Sequence, residues 1–381
     1  MQVRGFRRSF IYHSPQVPGY TCWCGLWNMP DGGVMLSFTQ ATGPFAGREK
    51  APPEVRHALS WPPPAHSDAY DMTGLDLRHV HLRSGDFGET WHSVASQPFR
   101  SCMNGVYGEA EESLPDGTIL RAAWGPYLPY DEVPRTGYVE RSTDGARTWS
   151  APQIICRDSA YKFWPRRIRM LRDGRVVAGG GLILNDAEHA TRSSWSRGMG
   201  QALFISSDGG RYWEGPIATA TSADAAEFTG EEFDFVELTN GDLLLVIRCE
   251  TRAAFDTRDR GQERRQTRLV KTGETWKPTK VRSAPFPHSG HPELLRLNNG
   301  TILHVATSGF SATTDEGGTW RDLDLPSGLI EQEWNWPGAY YYPKAVQMRN
   351  GEILAVGHVG WDDPYGRVDQ SIAGIRFFID W

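Results

Sequence analysis

Six Asp-Gly or Asn-Gly pairs in this sequence each follow, at a fixed distance, residues whose side chains could do chemistry. Eight residues before the Asp or Asn of each pair stand Trp23, Gly108, Pro165, Glu232, His291 and Tyr342. Seven residues before it stand Cys24, Glu109, Arg166, Phe233, Pro292 and Pro343. Carboxylates, imidazoles and phenols transfer protons or act as nucleophiles, guanidinium groups bind carboxylates, and indole rings stack on apolar ring faces. If the fold gathers these rows at one concave spot they form a candidate active site, and otherwise they are ordinary residues at strand ends.

The elements that must position these rows follow from the repeated pairs themselves. Each pair is preceded by an apolar and a variable residue and followed by apolar alternation, in the phrases that begin at Met29, Leu114, Leu171, Leu238, Leu297 and Met348. Asp-Gly and Asn-Gly favour two-residue type I′ hairpin turns, so each phrase predicts two antiparallel strands. Successive pairs lie 51 to 85 residues apart, which suits one four-stranded blade with its loops. The sequence therefore predicts an all-β, six-bladed β-propeller.

In a propeller the first strand of each blade lines the central channel. Residues seven to nine positions before each turn then lie at the entry end of that strand, on one face of the disc. This placement gathers Trp23, Glu109, Arg166, Glu232 and Tyr342 at one rim, together with His291. We therefore expect the chemistry of the protein at this rim.

A second repeat lies between the first ones and has the form Ser-x-Asp-x-Gly-x-Thr-Trp. Its copies begin at Ser84, Ser142, Ser206 and Thr313, and a worn copy runs from Thr272 to Trp276. Each predicts a tight turn in which Ser and Asp accept backbone N–H groups, a glycine takes the positive φ and the Trp packs beside the hairpin.

With these turns, identified as Asp boxes, the chain resembles the sialidase (neuraminidase) superfamily along essentially its whole length. The resemblance implies a six-bladed propeller and activity on a glycan, although Asp boxes are structural turns and do not themselves imply catalysis. We expect residues 1–381 to form a single domain, with a strand near residues 6–14 closing the ring beside the C-terminal strand near residues 372–381. The expected blades are 20–91, 102–149, 161–213, 228–276, 288–320 and 334–381.

Composition restricts the partners. A net charge of −6 argues against nucleic acid or an anionic membrane as a partner. Aromatic residues make up 12% of the chain and include 15 Trp, which suits a carbohydrate-binding surface as well as core packing. The sequence does not indicate an oligomeric state. The first residues carry no apolar signal core, so we expect a soluble, cytoplasmic protein, or a secreted one if a signal peptide has been removed.

The five cysteines are scattered, and Cys22-x-Cys24 has no second pair with which to complete a metal site. Alternate residues on one strand face explain that pair more simply. We expect no metal site and no cofactor.

The resemblance assigns roles to three residues. Glu232 stands in the phrase that precedes the fourth turn, Arg248 at the end of the following strand, and Tyr342 before the last turn. In the family the tyrosine is the nucleophile, the glutamate deprotonates it, and the arginine binds the substrate carboxylate. A phenol of pKa about 10 needs such an adjacent base at neutral pH. The acid/base aspartate precedes the first box, where Asp71 and Asp76 are the candidates.

The chain also departs from the family pattern. The first blade reads Tyr-Thr-Cys-Trp-Cys-Gly over residues 20–25, without the expected arginine, and residues 308–312 lack the arginine expected before the fifth box. Two of three carboxylate-binding arginines are thus missing, which argues against ordinary sialic acid as the substrate. Arg166 or Lys162 could replace them for a different acidic sugar.

Three functions stay open at this point. The first is a glycoside hydrolase that uses Glu232, Tyr342, Arg248 and an aspartate of blade one. The second is a polysaccharide lyase acting on uronate-containing glycans, with base, acid and carboxylate-neutralising groups drawn from His288, His291, Tyr340, Arg166 and Lys162. The third is a carbohydrate-binding propeller without chemistry. The hydrolase is the leading hypothesis, and it rests on analogy as well as on the residues.

Overall fold

The computed structural model describes residues 1–16, 19–44, 46–50, 53, 73–98, 110–123, 136–184, 200–221, 224, 232–248, 264–285, 292–306, 309–325, 341–362 and 368–380. These residues form an all-β, six-bladed propeller. They contain no helix long and apolar enough to cross a membrane.

Each blade is an antiparallel sheet whose strands follow one another from the axis outward. Blade 1 contains β2 (Gly19–Asn28), β3 (Val34–Thr42), β4 (Asp76–Ser84) and β5 (His92–Pro98). Blade 2 contains β6 (Glu111–Ser113), β7 (Ile119–Ala123), β8 (Tyr138–Ser142) and β9 (Gln153–Ile154). Blade 3 contains β10 (Tyr161–Met170), β11 (Val176–Leu184), β12 (Gly200–Ser206) and β13 (Glu214–Ala218).

The second half of the chain repeats this arrangement. Blade 4 contains β14 (Phe233–Glu237), β15 (Leu243–Arg248), β16 (Arg264–Thr272) and β17 (Thr275–Pro278), with β18 (Arg282–Ser283) beside β16. Blade 5 contains β19 (Glu293–Arg296), β20 (Ile302–Ala306), β21 (Gly309–Thr313) and β22 (Arg321–Asp322). Blade 6 contains β23 (Tyr341–Gln347), β24 (Ile353–Asp362), β25 (Val368–Asp380) and, from the other end of the chain, β1 (Gln2–His13).

The pairing of β1 with β25 confirms that the N-terminal strand closes the ring. Nine residue pairs join these strands, from Gln2 opposite Asp380 to His13 opposite Ser371. Closure leaves the last blade with four strands and covers an edge that would otherwise invite aggregation.

The six Asp-Gly and Asn-Gly pairs do join the first and second strands, but the predicted turn type is wrong. In the first turn Gly32 N–H donates to Met29 O (2.9 Å) and Met29 N–H to Gly33 O (2.7 Å), and only the glycine has a positive φ, of 90°. This is a type I turn followed by a glycine bulge. The Asp31 carboxylate accepts the N–H of Gly33 (3.0 Å), which explains Asp or Asn at this position without a left-handed conformation there.

The Ser-x-Asp turns join the third and fourth strands. In the first of them Ser84 Oγ accepts the N–H of Gly88 (2.8 Å), and Asp86 accepts the N–H of Thr90 (2.9 Å). The Thr90 hydroxyl also donates to Asp86 (2.5 Å), and this bond together with the bond from the Thr90 N–H holds the pKa of Asp86 down at about 2. Because a fourth strand follows each such turn, every expected blade boundary that ended at the Trp was too short. The blades extend to the outer strands, such as β5 and β13.

The apolar core is divided among the blade interfaces. Clusters of 14 and 11 buried residues lie between blades 2 and 3 and between blades 3 and 4, and clusters of 6 and 13 lie between blades 4 and 5 and between blades 5 and 6. Eleven buried residues pack between blades 6 and 1. In the described part of the chain, the cluster between blades 1 and 2 has only four: Trp27, Met35, Ile119 and Ala146.

Candidate active site

The described residues cover the predicted rim only in part. Asp71, Glu109, His288 and His291 lie outside them, as does Tyr340. For Arg248, the last residue of β15, and Tyr342, the second residue of β23, the structure describes the backbone but not the side chain. Trp23, Arg166, Lys162, Glu232 and Asp76 can be placed in full.

Three of the predicted rim residues lie in irregularities of inner strands. Strand pairing skips between Cys22 and Gly25 in β2, between Pro165 and Arg167 in β10, and between Tyr341 and Lys344 in β23. Trp23, Arg166 and Tyr342 are the residues at these bulges. A bulge redirects a side chain out of the regular alternation, and bulges are frequent beside active sites. Three blades thus depart from regular pairing at the same height above the turns.

Trp23 shows the strain that such a bulge can hold. Its φ is 53°, in the left-handed region that a bulky residue rarely occupies. Backbone strain of this kind costs about 1–3 kcal/mol and persists only where the surroundings impose it. The indole ring lies partly exposed beside the imidazole of His358, with 6.1 Å between ring centroids. Burial lowers the pKa of His358 to about 3, so this neighbour is neutral at physiological pH.

Arg166 and Lys162 both belong to β10 but differ in exposure. Arg166 is buried, with only 3% of its surface accessible to solvent, and its guanidinium carbon lies 4.7 Å from the centre of the Trp164 ring. Lys162 is partly exposed. Lys162 is therefore the more accessible of the two cations proposed to meet an acidic sugar.

Glu232 immediately precedes β14 and is 6% exposed. It stands two residues before Asp234, so the two carboxylates occupy the same side of the strand. Asp234 contacts groups of neighbouring blades at the propeller axis, as described below. Glu232 therefore lies at the start of the inner strand of blade 4, two residues from a carboxylate that contacts neighbouring blades.

Below the rim, a network of charged side chains fills the axis. Four of its members, one on each of blades 3 to 6, stand six residues before a turn Asp or Asn: Arg167, Asp234, Glu293 and Lys344. Arg167 pairs with Asp234 (Nε–Oδ1 3.2 Å) and with Glu293, and Lys344 Nζ lies 3.6 Å from Glu293 Oε2. Asp234 is fully buried and the other three are at most 4% exposed. We call these residues, with Arg169 and Glu112, the axial network.

Arg169 and Glu112 form the lower part of the axial network. Arg169 donates to Asp234 (Nε–Oδ1 3.1 Å) and to the carbonyl oxygen of Leu294 (2.6 Å). Burial raises the pKa of Glu112 to about 7 against the opposing effect of Arg169, and burial likewise raises the pKa of Glu293 to about 7. Both carboxyls therefore titrate near neutral pH, at the base of the candidate site.

Asp76, the second candidate for the acid/base, opens β4, the third strand of blade 1. It is exposed and pairs with Arg78 (Oδ2–Nε 3.1 Å). It is thus two strands farther from the axis than the inner strand of its blade. The other candidate, Asp71, lies outside the described residues.

One further cluster was missed from the sequence. His79 and His81 of β4 direct their Nε2 atoms at the same oxygen of Glu111 in β6, at 3.2 and 3.1 Å, and all three side chains are at most 1% exposed. Burial lowers the pKa of His79 to about 3, and the hydrogen bonds from the two imidazoles hold the pKa of Glu111 well below its usual range. Two histidines at alternate positions of one strand were the available signal, since they share a face.

No protein-family model matches the chain, and no curated protein matches it. Solved structures do. A protein of unknown function from Dyadobacter fermentans shares 21% identity, with a TM-score of 0.65 and coverage of 99% of this chain and 100% of the other. An α-L-arabinofuranosidase from Fusarium graminearum, solved with an iminosugar inhibitor, shares 12% identity with a TM-score of 0.62 over 97% and 96% of the two chains. An intramolecular trans-sialidase from Ruminococcus gnavus shares 13% identity with a TM-score of 0.57 over 95% of each chain. These similarities show a common propeller fold.

The described geometry provides a mouth of chemically varied groups above a buried, charged floor. Glu232 stands at the head of β14, and the backbone of Tyr342 lies in the bulge of β23. An indole ring at the bulge of β2 offers an apolar face. Such a combination suits a substrate with both hydroxyl groups and apolar C–H faces.

Proposed function

We propose that this protein is a glycoside hydrolase of the sialidase-like type, with Tyr342 as nucleophile and Glu232 as the base that activates it. The observation that carries the proposal is the set of bulges at Trp23, Arg166 and Tyr342 in the inner strands of blades 1, 3 and 6, together with the buried residue Glu232 at the head of the inner strand of blade 4. Regular inner strands would not need three bulges at one height. The turns at Ser84, Ser142, Ser206 and Thr313 support the same family, because their hydrogen bonds are those expected of Asp boxes.

We further propose that the substrate is a glycoside other than ordinary sialic acid. Two of three expected carboxylate-binding arginines are absent from the sequence, and Arg166 is almost fully buried. Bidentate binding of a carboxylate needs accessible guanidinium groups in fixed positions. Structural neighbours of this chain include an α-L-arabinofuranosidase and an α-L-arabinanase complexed with arabinobiose, so arabinofuranosides belong among the first substrates to test.

The test is turnover of aryl glycosides by the full chain, with a panel that contains an aryl α-L-arabinofuranoside, an aryl sialoside and an aryl glucuronide. Tyr342→Phe and Glu232→Gln should each abolish turnover of the active member while the circular dichroism spectrum stays unchanged. Tyr212→Phe and Glu214→Gln are matched controls, because both residues are exposed and lie in the outer part of blade 3. Full activity in the Tyr342 or Glu232 variant would remove the assignment.

A further inference from the structure

The interface between blades 1 and 2 differs from the other five. The face of blade 1 that meets blade 2 is polar, with Ser37 and Thr39 on β3 beside His79 and His81 on β4, and each of them is at most 2% exposed. Among the residues that the structure describes, the clusters of the other interfaces bury between 6 and 14 apolar residues, whereas the cluster of this interface buries four. Polar groups removed from water are costly unless they are satisfied, so this interface needs a specific interaction.

The donor atoms at its centre are arranged as metal ligands are. His79 and His81 lie two residues apart on one face of β4, and Glu111 approaches from the inner strand of blade 2. The two Nε2 atoms lie 3.2 and 3.1 Å from Glu111 Oε1, and the three ligand atoms all lie within 4.8 Å of one another. Metal–ligand bonds of about 2.0–2.2 Å at angles of about 90–110° separate neighbouring ligand atoms by roughly 3–3.4 Å. The Nε2–Oε1 separations fall in this range.

The surroundings hold the donors in place. Ser37 Oγ donates to the second oxygen of Glu111, Oε2, which orients the carboxylate so that Oε1 faces both imidazoles. The two rings stand nearly perpendicular, at 86°, with centroids 4.5 Å apart. Supporting hydrogen bonds to a ligating carboxylate are typical of metal sites.

Arg121 is the nearby cation that a metal ion would meet. Its guanidinium stacks on Trp149, 3.8 Å from the ring centre, and donates to Glu140 (Nη2–Oε2 2.6 Å). Glu140 thus accepts a hydrogen bond from Arg121, which lies opposite Glu111 in the pairing of β6 with β7. Two imidazoles and one carboxylate are a donor set that Zn²⁺ and related first-row divalent ions prefer over Mg²⁺ or Ca²⁺.

We propose that His79, His81 and Glu111 bind one divalent transition-metal ion of the zinc type, which joins blade 1 to blade 2. The ion takes the place of the apolar packing that this interface lacks. Two of its ligands belong to β4, the third strand of blade 1, and all three side chains are closed to solvent, so its role is to stabilise the fold and not to take part in the proposed hydrolysis. Because the cluster is closed to solvent, the ion enters while the chain folds.

The experiment measures metal content in untagged protein that has folded with the metal. The full chain is produced in medium supplemented with Zn²⁺, dialysed, and analysed by inductively coupled plasma mass spectrometry. We expect about one ion per chain in the wild type and less than about 0.2 in Glu111→Gln and His81→Gln. His92→Gln is the matched control, because His92 is an exposed histidine on the neighbouring strand β5, and it should keep the wild-type content.

A second measurement does not depend on variants that could fail to fold. Wild-type protein refolded with Co²⁺ should show the visible d–d absorption of a low-symmetry nitrogen and oxygen site, and its unfolding equilibrium constant should be at least tenfold lower than after refolding with a chelator. A wild type that carries no metal and unfolds identically with and without it would mean that the cluster is a hydrogen-bonded triad, which overturns the proposal. So would an unchanged metal content in Glu111→Gln.

Discussion

The substitution Asp234→Asn tests whether the axial network holds the propeller together. Asp234 is fully buried and accepts hydrogen bonds from the Leu294 N–H (2.6 Å) and from Arg169 Nε (3.1 Å), while Arg167 Nε lies 3.2 Å away. Asparagine keeps the shape but removes the charge that two buried guanidinium groups face. Removing one partner of a buried ion pair costs about 3–5 kcal/mol, because the remaining charge is left uncompensated.

The expected shift in melting temperature follows from chain length. An unfolding entropy of about 2.1 cal/mol/K per residue gives roughly 0.8 kcal/mol/K for 381 residues, so a loss of 3–5 kcal/mol lowers Tm by about 4–6 °C. Differential scanning calorimetry measures this shift, and urea unfolding measures the free energy directly. The double variant Asp234→Asn with Arg169→Met should lose less than the sum of the two single variants, since the second change removes a charge that the first had stranded.

The matched control is Asp380→Asn. Asp380 pairs with Arg4 at 2.8 Å, but both side chains are more than half exposed, so the pair contributes about 0–1 kcal/mol. If Asp234→Asn destabilises the protein no more than Asp380→Asn does, the axial network is not a source of stability and the reasoning from burial and charge is wrong.

Three further predictions concern the floor, a bulge and the rim. The pKa of Glu112 is raised from 4.5 to about 7 in the folded protein, so the folded state binds the proton more tightly, and the stability present below about pH 4.5 is lost as pH rises to 7. In the wild type, this group should lower the free energy of unfolding between pH 5 and pH 8 by up to about 3 kcal/mol. Urea unfolding of Glu112→Gln should lack this part of the pH dependence. Gly180→Ala should lower the free energy of unfolding by more than about 2 kcal/mol and lower activity, because the new Cβ would lie 1.9 Å from the carbonyl oxygen of Trp164 beside the β10 bulge. Gly200→Ala is the control, since its Cβ would have no atom within 4 Å, and its free energy of unfolding should stay within about 1 kcal/mol of the wild-type value. Arg248→Ala should raise KM for acidic substrates and leave KM for neutral ones unchanged, and an unchanged KM for both would show that Arg248 binds no carboxylate.

The fold could be predicted from the sequence because its turns repeat. Six turns with the same residues define six inner hairpins, and their spacing leaves room for one blade each. The predicted turn type was wrong because Asp and Asn favour two different turn structures. They can adopt a left-handed backbone, or their side chain can accept the N–H two residues on, as Asp31 accepts that of Gly33. The residue type alone does not tell which of the two occurs. Four-stranded blades were predicted, but their expected ends at the box Trp fell short of the outer strands; β9 and β22, with two residues each, are too short for a periodic pattern.

The candidate site was predicted only in part. Counting back from the turns found three residues that lie at bulges, because the same turn follows the inner strand of every blade and gives the count a common origin. The axial network lies one residue nearer the turns on the same strands. In the sequence, charged residues at these positions have the pattern of the solvent-exposed face of an ordinary strand. Burial of both partners can be seen only when blades meet. The histidine pair was missed for the same reason, since Glu111 is 30 residues from His81 and belongs to another blade.

The bulges and the axial network together explain how a ring of regular sheets can present an irregular site. Below the rim, the side chains six residues before the turns of blades 3 to 6 meet at the axis. Their opposite charges fix the inner strands of these four blades relative to one another. Above that level the strands of blades 1, 3 and 6 leave regular pairing. The left-handed φ of Trp23 adds backbone strain to one of these irregular positions. A change that loosens the axial network should therefore weaken activity at the rim before it unfolds the propeller, and Asp234→Asn assayed well below its melting temperature separates these two effects.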